Sequence, residues 1–150
     1  MRAVVSRVLR ARVTVEGETV GQVGPGLLVL VGVTASDSSA EAAWLAGKVA
    51  GLRVFDDGQG RMNLALADVG GAVLVVSQFT LYGDTRAGRR PSYLDAARPE
   101  QAEPLVEEVV KGLAGAGLPV ASGRFRADMQ IESVADGPVT ILLDSAVARR

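Results

Sequence analysis

The sequence predicts an α/β protein consisting of one strand-rich domain, with a mixed sheet and two main helices. Three short runs are apolar at successive positions and rich in β-branched residues, which is typical of strands covered on both faces. Two longer segments carry apolar residues at helical spacing, which predicts two amphipathic helices. The length of 150 residues suits a single core, because chains commonly divide into domains only beyond about 250 residues.

The first predicted element is a hairpin near the start of the chain. Apolar and polar residues alternate over residues 12–16 and again over residues 19–23, and Glu16-Gly17-Glu18 supplies a turn between them. Alternation of this kind is typical of half-buried strands. One face of the hairpin is therefore expected to meet water.

The apolar runs come next as predicted strands. They are residues 27–31, 72–76 and 139–143. Because they lack a polar face, all three are expected to be central strands that are buried on both sides.

The first helix is predicted over residues 38–51. Ser38 and Glu41 have the spacing of a capping box, in which each side chain satisfies a backbone N–H of the other residue. The apolar face of this helix is expected to contain Trp44, Leu45, Val49 and Leu52.

The second helix is predicted over residues 100–114, with Gly115 and Gly117 to end it. Its apolar face is formed by Ala102, Leu105, Val106, Val109, Val110 and Leu113. Pro104 is expected in the first turn, where its missing N–H costs no hydrogen bond.

Composition excludes several classes of chemistry. The chain has no Cys and no His, which excludes disulfides, thiolate nucleophiles, iron–sulfur clusters, cysteine zinc sites and a Ser-His-Asp triad. A formal charge of −1 argues against a general nucleic-acid coat protein but allows a local basic patch. No apolar run approaches the roughly 20 residues needed to span a bilayer, so we expect a soluble cytoplasmic protein without a membrane partner.

No metal site is predicted. The segment over residues 56–60, Asp-Asp-Gly-Gln-Gly, has the composition of a turn and lacks the alternating ligands and closing Glu of a calcium loop.

Polar groups follow the second apolar strand at Ser77, Gln78 and Thr80, with Phe79 among them. The end of a buried strand is a rigid place to present such groups to a ligand. The alternative is that these side chains cap the strand and satisfy its backbone groups. With no His in the chain, neither hydroxyl has the usual activating base.

A basic loop comes next, over residues 83–93, with Arg86, Arg89 and Arg90 against one Asp and with Tyr82 and Tyr93 at its ends. Arginine can bind phosphate oxygens through two hydrogen bonds, and tyrosine can stack on a base. The alternative is a solvated surface loop.

The third feature is Gly137-Pro138, between two apolar segments near the end of the chain. A Gly-Pro pair between strands is ordinarily a turn. Its peptide bond can also be cis, and the tip would then present backbone oxygens as a rigid polar wall.

In this order and spacing, the chain resembles the D-aminoacyl-tRNA deacylase family. The motifs are Ser77-Gln78-Phe79-Thr80-Leu81-Tyr82, Asp84-Thr85-Arg86, Gly88-Arg89-Arg90-Pro91 and Asp136-Gly137-Pro138-Val139-Thr140. Matching segments outside them are Met1-Arg2-Ala3, Arg7-Val8, Val23-Gly24-Pro25-Gly26-Leu27-Leu28, Arg61-Met62-Asn63-Leu64, Gly123-Arg124-Phe125 and Ala127-Asp128-Met129. The resemblance covers nearly the whole chain.

The resemblance implies a homodimeric hydrolase without a cofactor. Its substrate would be aminoacyl-tRNA, and it would cleave the ester that links a D-amino acid to the 3′ end. Gly137 and Pro138 carry over as a cis pair that reaches from one subunit into the other's active site and rejects L-amino acids. Arg7 carries over as the residue that braces this pair.

The resemblance also assigns the opposite wall of the site to Ser77, Gln78, Phe79 and Thr80. Backbone N–H groups near Phe79 and Thr80 would hold the ester carbonyl, and Met129 would support the pocket. The chain departs from the family at two positions, with Ala135 where Asn is usual and Arg126 where Gly is frequent. Both departures concern the rim of the pocket.

A hydrolase without a protein base is chemically reasonable here, because an aminoacyl ester is an activated acyl group. One oxyanion donor contributes roughly 3–4 kcal/mol, and positioning can supply about 7 kcal/mol or more. Thr80 as nucleophile is one alternative. We favour assistance to the attacking water by the 2′-hydroxyl of the substrate's terminal ribose.

Two other function classes stay open on the residues alone. A non-catalytic RNA-binding module would use the basic loop without turnover, and a small-molecule lyase or isomerase would not bind RNA.

Overall fold

The structure is a computed structural model that describes residues 1–148. In chain order, its elements are β1 (Arg2–Val15), β2 (Glu18–Val23), β3 (Gly26–Gly32), α1 (Ser39–Gly51), β4 (Phe55–Asp56), β5 (Met62–Leu64), β6 (Ala72–Ser77), a short 3-10 helix (Phe79–Tyr82), α2 (Pro99–Gly115), β7 (Val120–Ser122) and β8 (Gln130–Asp144). Neither α-helix in this range is long and apolar enough to cross a membrane.

A six-stranded mixed sheet is built around β1. The strand order is β2-β1-β3-β6-β7. Strands β2 and β3 pair with different halves of β1, and β8 pairs with β1 along its other edge. The β3–β6 and β6–β7 pairs are parallel, whereas β1 is antiparallel to each of its partners. The predicted fold class, a mixed sheet with two helices, is therefore confirmed.

Apolar side chains fill both sides of this sheet. Helices α1 and α2 cover one side, where the larger core cluster contains Leu27, Leu45 and Val109. The second cluster, around Val13 and Leu74, lies on the other side. A Cβ on Gly21 of β2 would overlap the backbone of β7, so the sheet curls until these two strands touch.

Two of the three predicted central strands are confirmed, since β3 and β6 are buried almost throughout. The prediction for residues 139–143 is wrong. Val139, Ile141 and Leu143 pack against the core, but Leu142 between them is 77% exposed. The segment belongs to β8, which has helices on one face only, so its side chains alternate between core and solvent.

Helix α1 begins where the capping box predicts. Ser38 is the N-cap, and its backbone N–H donates to Glu41 Oε2 at 2.7 Å, while Ala40 N donates to Ser38 Oγ at 3.3 Å. Trp44 and Leu52 pack against the core as expected.

Helix α2 is one residue longer at each end than predicted. Pro99 occupies the first helical position, so the expectation that Pro104 lies in the first turn is wrong; Pro104 is inside the helix. Its ring lies on the exposed side of α2. The helix carbonyl that has no N–H donor at this position can therefore accept a hydrogen bond from water.

Candidate active site

The end of β6 forms one wall of a cavity of about 570 Å³. Ser77 is the last residue of β6, and the backbone N–H of Gln78 donates to Val31 O of β3 at 2.7 Å. The chain then turns into the 3-10 helix that begins at Phe79. A buried parallel strand therefore fixes where these polar residues stand.

The cavity brings together five of the residues that the resemblance assigns to the site. Ser77, Gln78, Phe79, Thr80 and Met129 all line it. The other lining residues come from just after the end of β3, the loop before α2, the start of α2 and the segment after β7: Val33, Tyr93, Ala96, Ala97, Arg98, Pro99, Ala102, Phe125, Arg126 and Ala127.

The polar groups of the cavity can bind and orient an ester but include no strong base. Gln78 Nε2 donates to Thr80 Oγ1 at 2.7 Å, which holds both side chains in place. None of the described residues that line the cavity is a carboxylate. The first N–H groups of a helical turn have no acceptor within it, and here they belong to Phe79 and Thr80.

Aromatic rings border this cavity. Phe79 is 55% exposed, and its ring meets that of Tyr93 edge to face, with 5.0 Å between centroids. Tyr82 is buried, which raises the pKa of its phenol, and the Arg2 guanidinium lies 4.5 Å from the centre of its ring. The expectation that Tyr82 could stack on a base is therefore wrong.

The Gly137–Pro138 peptide bond is cis and lies in a bulge of β8. Ser6 pairs with Thr140 and Val8 with Ala135, so Arg7 alone lies opposite residues 136–139. We call residues 136–139 the Gly-Pro tip. The expected turn between two strands is thus a bulge within one strand, because both of its arms pair with β1.

Arg7 holds this tip from below. Its side chain is 9% exposed. Nε donates to the carbonyl of Asp136 at 3.1 Å, and Nη1 donates to the carbonyl of Val54 at 2.6 Å. The carboxylates of Asp136 and Asp56 lie 3.3 and 3.5 Å away. One buried cation therefore ties the tip to the segment that leads into β4.

The structure does not bring the tip and the cavity together within one chain. Gly137 and Pro138 are exposed, and neither lines the cavity at the end of β6. Arg7 lies with the tip, so the proposed site residues form two separate groups in a single copy.

The arginines of the basic loop line neither site, although Tyr93 at the end of the loop lines the cavity. Asp84 and Ser92 exchange backbone hydrogen bonds of 2.8 Å that close it at its base. Arg86 donates to the Asp84 carboxylate through Nε at 2.9 Å and Nη2 at 2.7 Å, which lowers the pKa of Asp84 to about 2. Arg89 and Arg90 are exposed.

Arg98 and Ala102 are among the cavity residues that the sequence did not predict. Arg98 immediately precedes α2, and Ala102 is in its second turn, about 20 residues from the Ser77–Thr80 segment in sequence. No local pattern distinguishes them, because only the packing of α2 against the sheet brings them to the cavity.

Two further features lie outside this cavity. A larger cleft, of about 930 Å³, lies between β1, β2 and β8 and contains none of the predicted site residues. Residues 1–148 hold no group of three or more acidic side chains close enough together to bind a metal ion.

Comparisons with known proteins show the family of the chain. The family model for D-Tyr-tRNA(Tyr) deacylase matches residues 4–144. A D-aminoacyl-tRNA deacylase from Symbiobacterium thermophilum is 62% identical over 145 residues, covering 97% of this chain and 96% of that protein. The corresponding protein from Anaeromyxobacter dehalogenans is 61% identical, covering 97% of each chain.

Solved structures share the fold. The c-Myc DNA unwinding element binding protein superposes with a TM-score of 0.90 at 38% identity, covering 97% of this chain and 99% of the other. A probable eukaryotic D-amino acid tRNA deacylase gives a TM-score of 0.81 at 16% identity, covering 95% and 97%, and supports the fold alone.

Proposed function

The chain belongs to the D-Tyr-tRNA(Tyr) deacylase family, and we propose that it hydrolyses the ester between a D-amino acid and the 3′-terminal adenosine of tRNA. The main support is the match of the family model to residues 4–144, a range that includes every segment lining the cavity at the end of β6. As a hydrolase of this kind, it returns free tRNA and a free D-amino acid.

The reaction we propose needs no protein nucleophile. Water attacks the ester carbonyl, and the backbone N–H groups of Phe79 and Thr80 stabilise the oxyanion. The bond to the ribose oxygen then breaks, and the proton lost by the water passes to that oxygen to give the free hydroxyl. The 2′-hydroxyl of the terminal ribose assists the water. This is supported by the hydrogen bond that engages Thr80 Oγ1 with Gln78 and by the lining of the cavity, in which no Asp or Glu occurs among residues 1–148.

We further propose that Gly137 and Pro138 reject L-amino acids by steric exclusion. Gly137 has no side chain and Pro138 has a fixed φ, so together they present a stiff backbone surface. Arg7 is proposed to hold this surface in place, which agrees with its hydrogen bonds to the carbonyl of Asp136 in the tip and to that of Val54 beneath it. An L side chain would collide with the surface, whereas a D side chain would point away from it.

This filter requires a second copy of the chain. The tip does not line the cavity of its own copy, so a homodimer is proposed in which each tip enters the partner's cavity. Leu142, on the open face of β8, is 77% exposed in a single copy and is a suitable apolar contact for such an interface.

The deciding experiment follows deacylation of D-tyrosyl-tRNA, glycyl-tRNA and L-tyrosyl-tRNA by the same preparation. Exclusion without side-chain recognition predicts rapid hydrolysis of the first two and sparing of the third. Inertness toward glycyl-tRNA would mean that the pocket recognises the D side chain itself. A fully active monomer in light scattering would contradict the shared site.

One structural relative is named as a protein that binds a DNA unwinding element, which suggests nucleic-acid binding as a second possible function. Nucleic-acid binding without turnover would fit the exposed arginines of the basic loop. The same assay separates the two, because a binding module releases no amino acid.

A further inference from the structure

A second pocket adjoins the cavity at the end of β6. It has a volume of about 350 Å³, lies between α2 and the segment after β7, and shares Ser77 and Phe125 with the cavity as lining residues. The two pockets are therefore adjacent, and we call them together the groove. Its combined size suits a terminal nucleoside together with part of the nucleotide before it.

Basic side chains border the groove along its length. Arg98 and Arg126 line the cavity, and Arg124 and Lys111 line the adjoining pocket. The guanidinium groups of the three arginines form no hydrogen bond or ion pair with another residue of the described range. They differ in this from Arg2, Arg7, Arg12 and Arg86, each of which is paired with a carboxylate.

The acidic residues of the groove leave a net positive charge. Glu103 and Glu107 line the adjoining pocket, and Glu107 lies 4.0 Å from Lys111. Four cations thus face two carboxylates, one of which is already paired. Anionic groups are favoured in such a groove, and arginine in particular fits the oxygens of a phosphate.

Arg126 is unusual in its backbone conformation. Its φ of +63° lies in the left-handed region, which favours Gly over residues with side chains. A side chain is nevertheless present here, and it contributes to the wall of the cavity. Replacement by Gly would therefore remove the guanidinium while suiting the backbone.

We propose that the groove binds the single-stranded 3′ end of an RNA and that Arg98, Arg124 and Arg126 contact its last phosphates. This rests on the proposed function, in which the terminal nucleoside ester occupies the cavity. In this proposal the phosphates bind in the groove and not at the basic loop, where the Asp84 carboxylate already binds Arg86.

The test compares two substrates with and without phosphates. Hydrolysis of D-tyrosyl-tRNA and of D-tyrosyl-adenosine is measured for the wild-type chain, for Arg124→Gln with Arg126→Gly, and for the same pair with Arg98→Gln. Arg61→Gln is the matched control, because Arg61 is an exposed arginine of the β4–β5 turn that lines neither part of the groove.

We expect each lost contact to raise KM for D-tyrosyl-tRNA about tenfold with little change in kcat. The dependence of binding on salt should fall by about 0.7 in log–log slope per contact. Hydrolysis of D-tyrosyl-adenosine, which has no phosphate, should fall several-fold less than hydrolysis of D-tyrosyl-tRNA in each variant. Equal losses on both substrates, no loss on either, or a matching loss in Arg61→Gln would overturn the proposal.

A binding measurement keeps this result separate from the proposed function. Fluorescence anisotropy with a short single-stranded RNA ending in CCA needs no turnover. Tight binding by the wild-type chain that the triple variant loses, without hydrolysis of either ester, would uphold the groove and reject the deacylase. Hydrolysis by the wild-type chain with unchanged RNA affinity in the variants would do the reverse.

Discussion

The Gly-Pro tip and the cavity at the end of β6 are held in place by different forces. The cavity lies at the end of β6, whose side chains are buried on both faces. Apolar packing therefore fixes Ser77 and the turn after it. The tip is an exposed bulge, and a single buried guanidinium bonds it to the chain before β4. A position that packing fixes is robust to most single changes, whereas a position that depends on one cation is not.

The largest loss of stability is expected when Arg7 is replaced, because the Gly-Pro tip depends on this side chain. Arg7→Leu leaves the Asp136 and Val54 carbonyls without their donors and should lower the free energy of unfolding by about 2–3 kcal/mol. The expected loss is below that of a fully buried ion pair, because Asp56 and Asp136 remain about half exposed. Denaturant titration at one fixed protein concentration measures it.

Arg12→Gln is the control for this change. Arg12 also pairs with a carboxylate, that of Glu132, but both side chains are about half exposed or more. Its removal should cost less than about 1 kcal/mol. Equal losses in the two variants would show that Arg7 stabilises no more than a surface pair does.

Gly137→Ala tests whether the tip tolerates a side chain. The residue has a φ of +136°, and an added Cβ would lie 2.6 Å from Val139 N and 2.8 Å from Val139 Cγ2. We expect a loss of about 1–3 kcal/mol together with weaker discrimination between D- and L-tyrosyl-tRNA.

Gly58→Ala provides the matched substitution, because nothing lies within 4 Å of a Cβ at Gly58. Its stability should change by less than about 0.5 kcal/mol. A tip variant as stable and as selective as this control would remove the steric basis of the filter.

Thr80→Ala tests whether the Thr80 hydroxyl in the cavity acts as a nucleophile. If Thr80 only shapes the cavity, its loss should lower kcat/KM less than about tenfold, whereas loss of a nucleophile costs several orders of magnitude. Thr80→Ser, which keeps the hydroxyl, should remain near the wild-type rate. A folded but inactive Thr80→Ala enzyme would restore the covalent mechanism.

The smallest effect is expected at Asp84 and Arg86 of the basic loop, which line neither region. The pKa of Asp84, about 2 in the folded chain, lies below its ordinary value of 3.8 because Arg86 bonds the carboxylate. Its contribution to the loop is therefore present above about pH 4 and is lost as the pH falls toward 2.

Arg86→Gln should raise the pKa of Asp84 toward its ordinary value. A carboxyl titration followed by NMR measures the change, with Asp57 as an internal reference whose pKa is lowered by backbone hydrogen bonds from Gln59 and Arg61. An unchanged Asp84 pKa would mean that the arginine does not hold the loop.

Local features of the sequence determined the elements that depend on near neighbours. Ser38 and Glu41 predicted the start of α1, and the runs in β3 and β6 predicted two buried strands. The polar residues after β6 predicted a group of polar side chains at its end, and these residues line the cavity there. Each of these predictions rests on residue types within a short segment, so the local pattern carries the information.

Tertiary structure alone decided which distant residues meet. It paired β8 with β1 and so exposed Leu142, placed Arg7 opposite the Gly-Pro tip, and brought Arg98 and Arg126 to the same cavity. These contacts join residues far apart in the chain, and they form only when the curled sheet buries its apolar faces. The sequence by itself determined which chemical groups are available, whereas packing of the sheet and helices decided which of them share a surface.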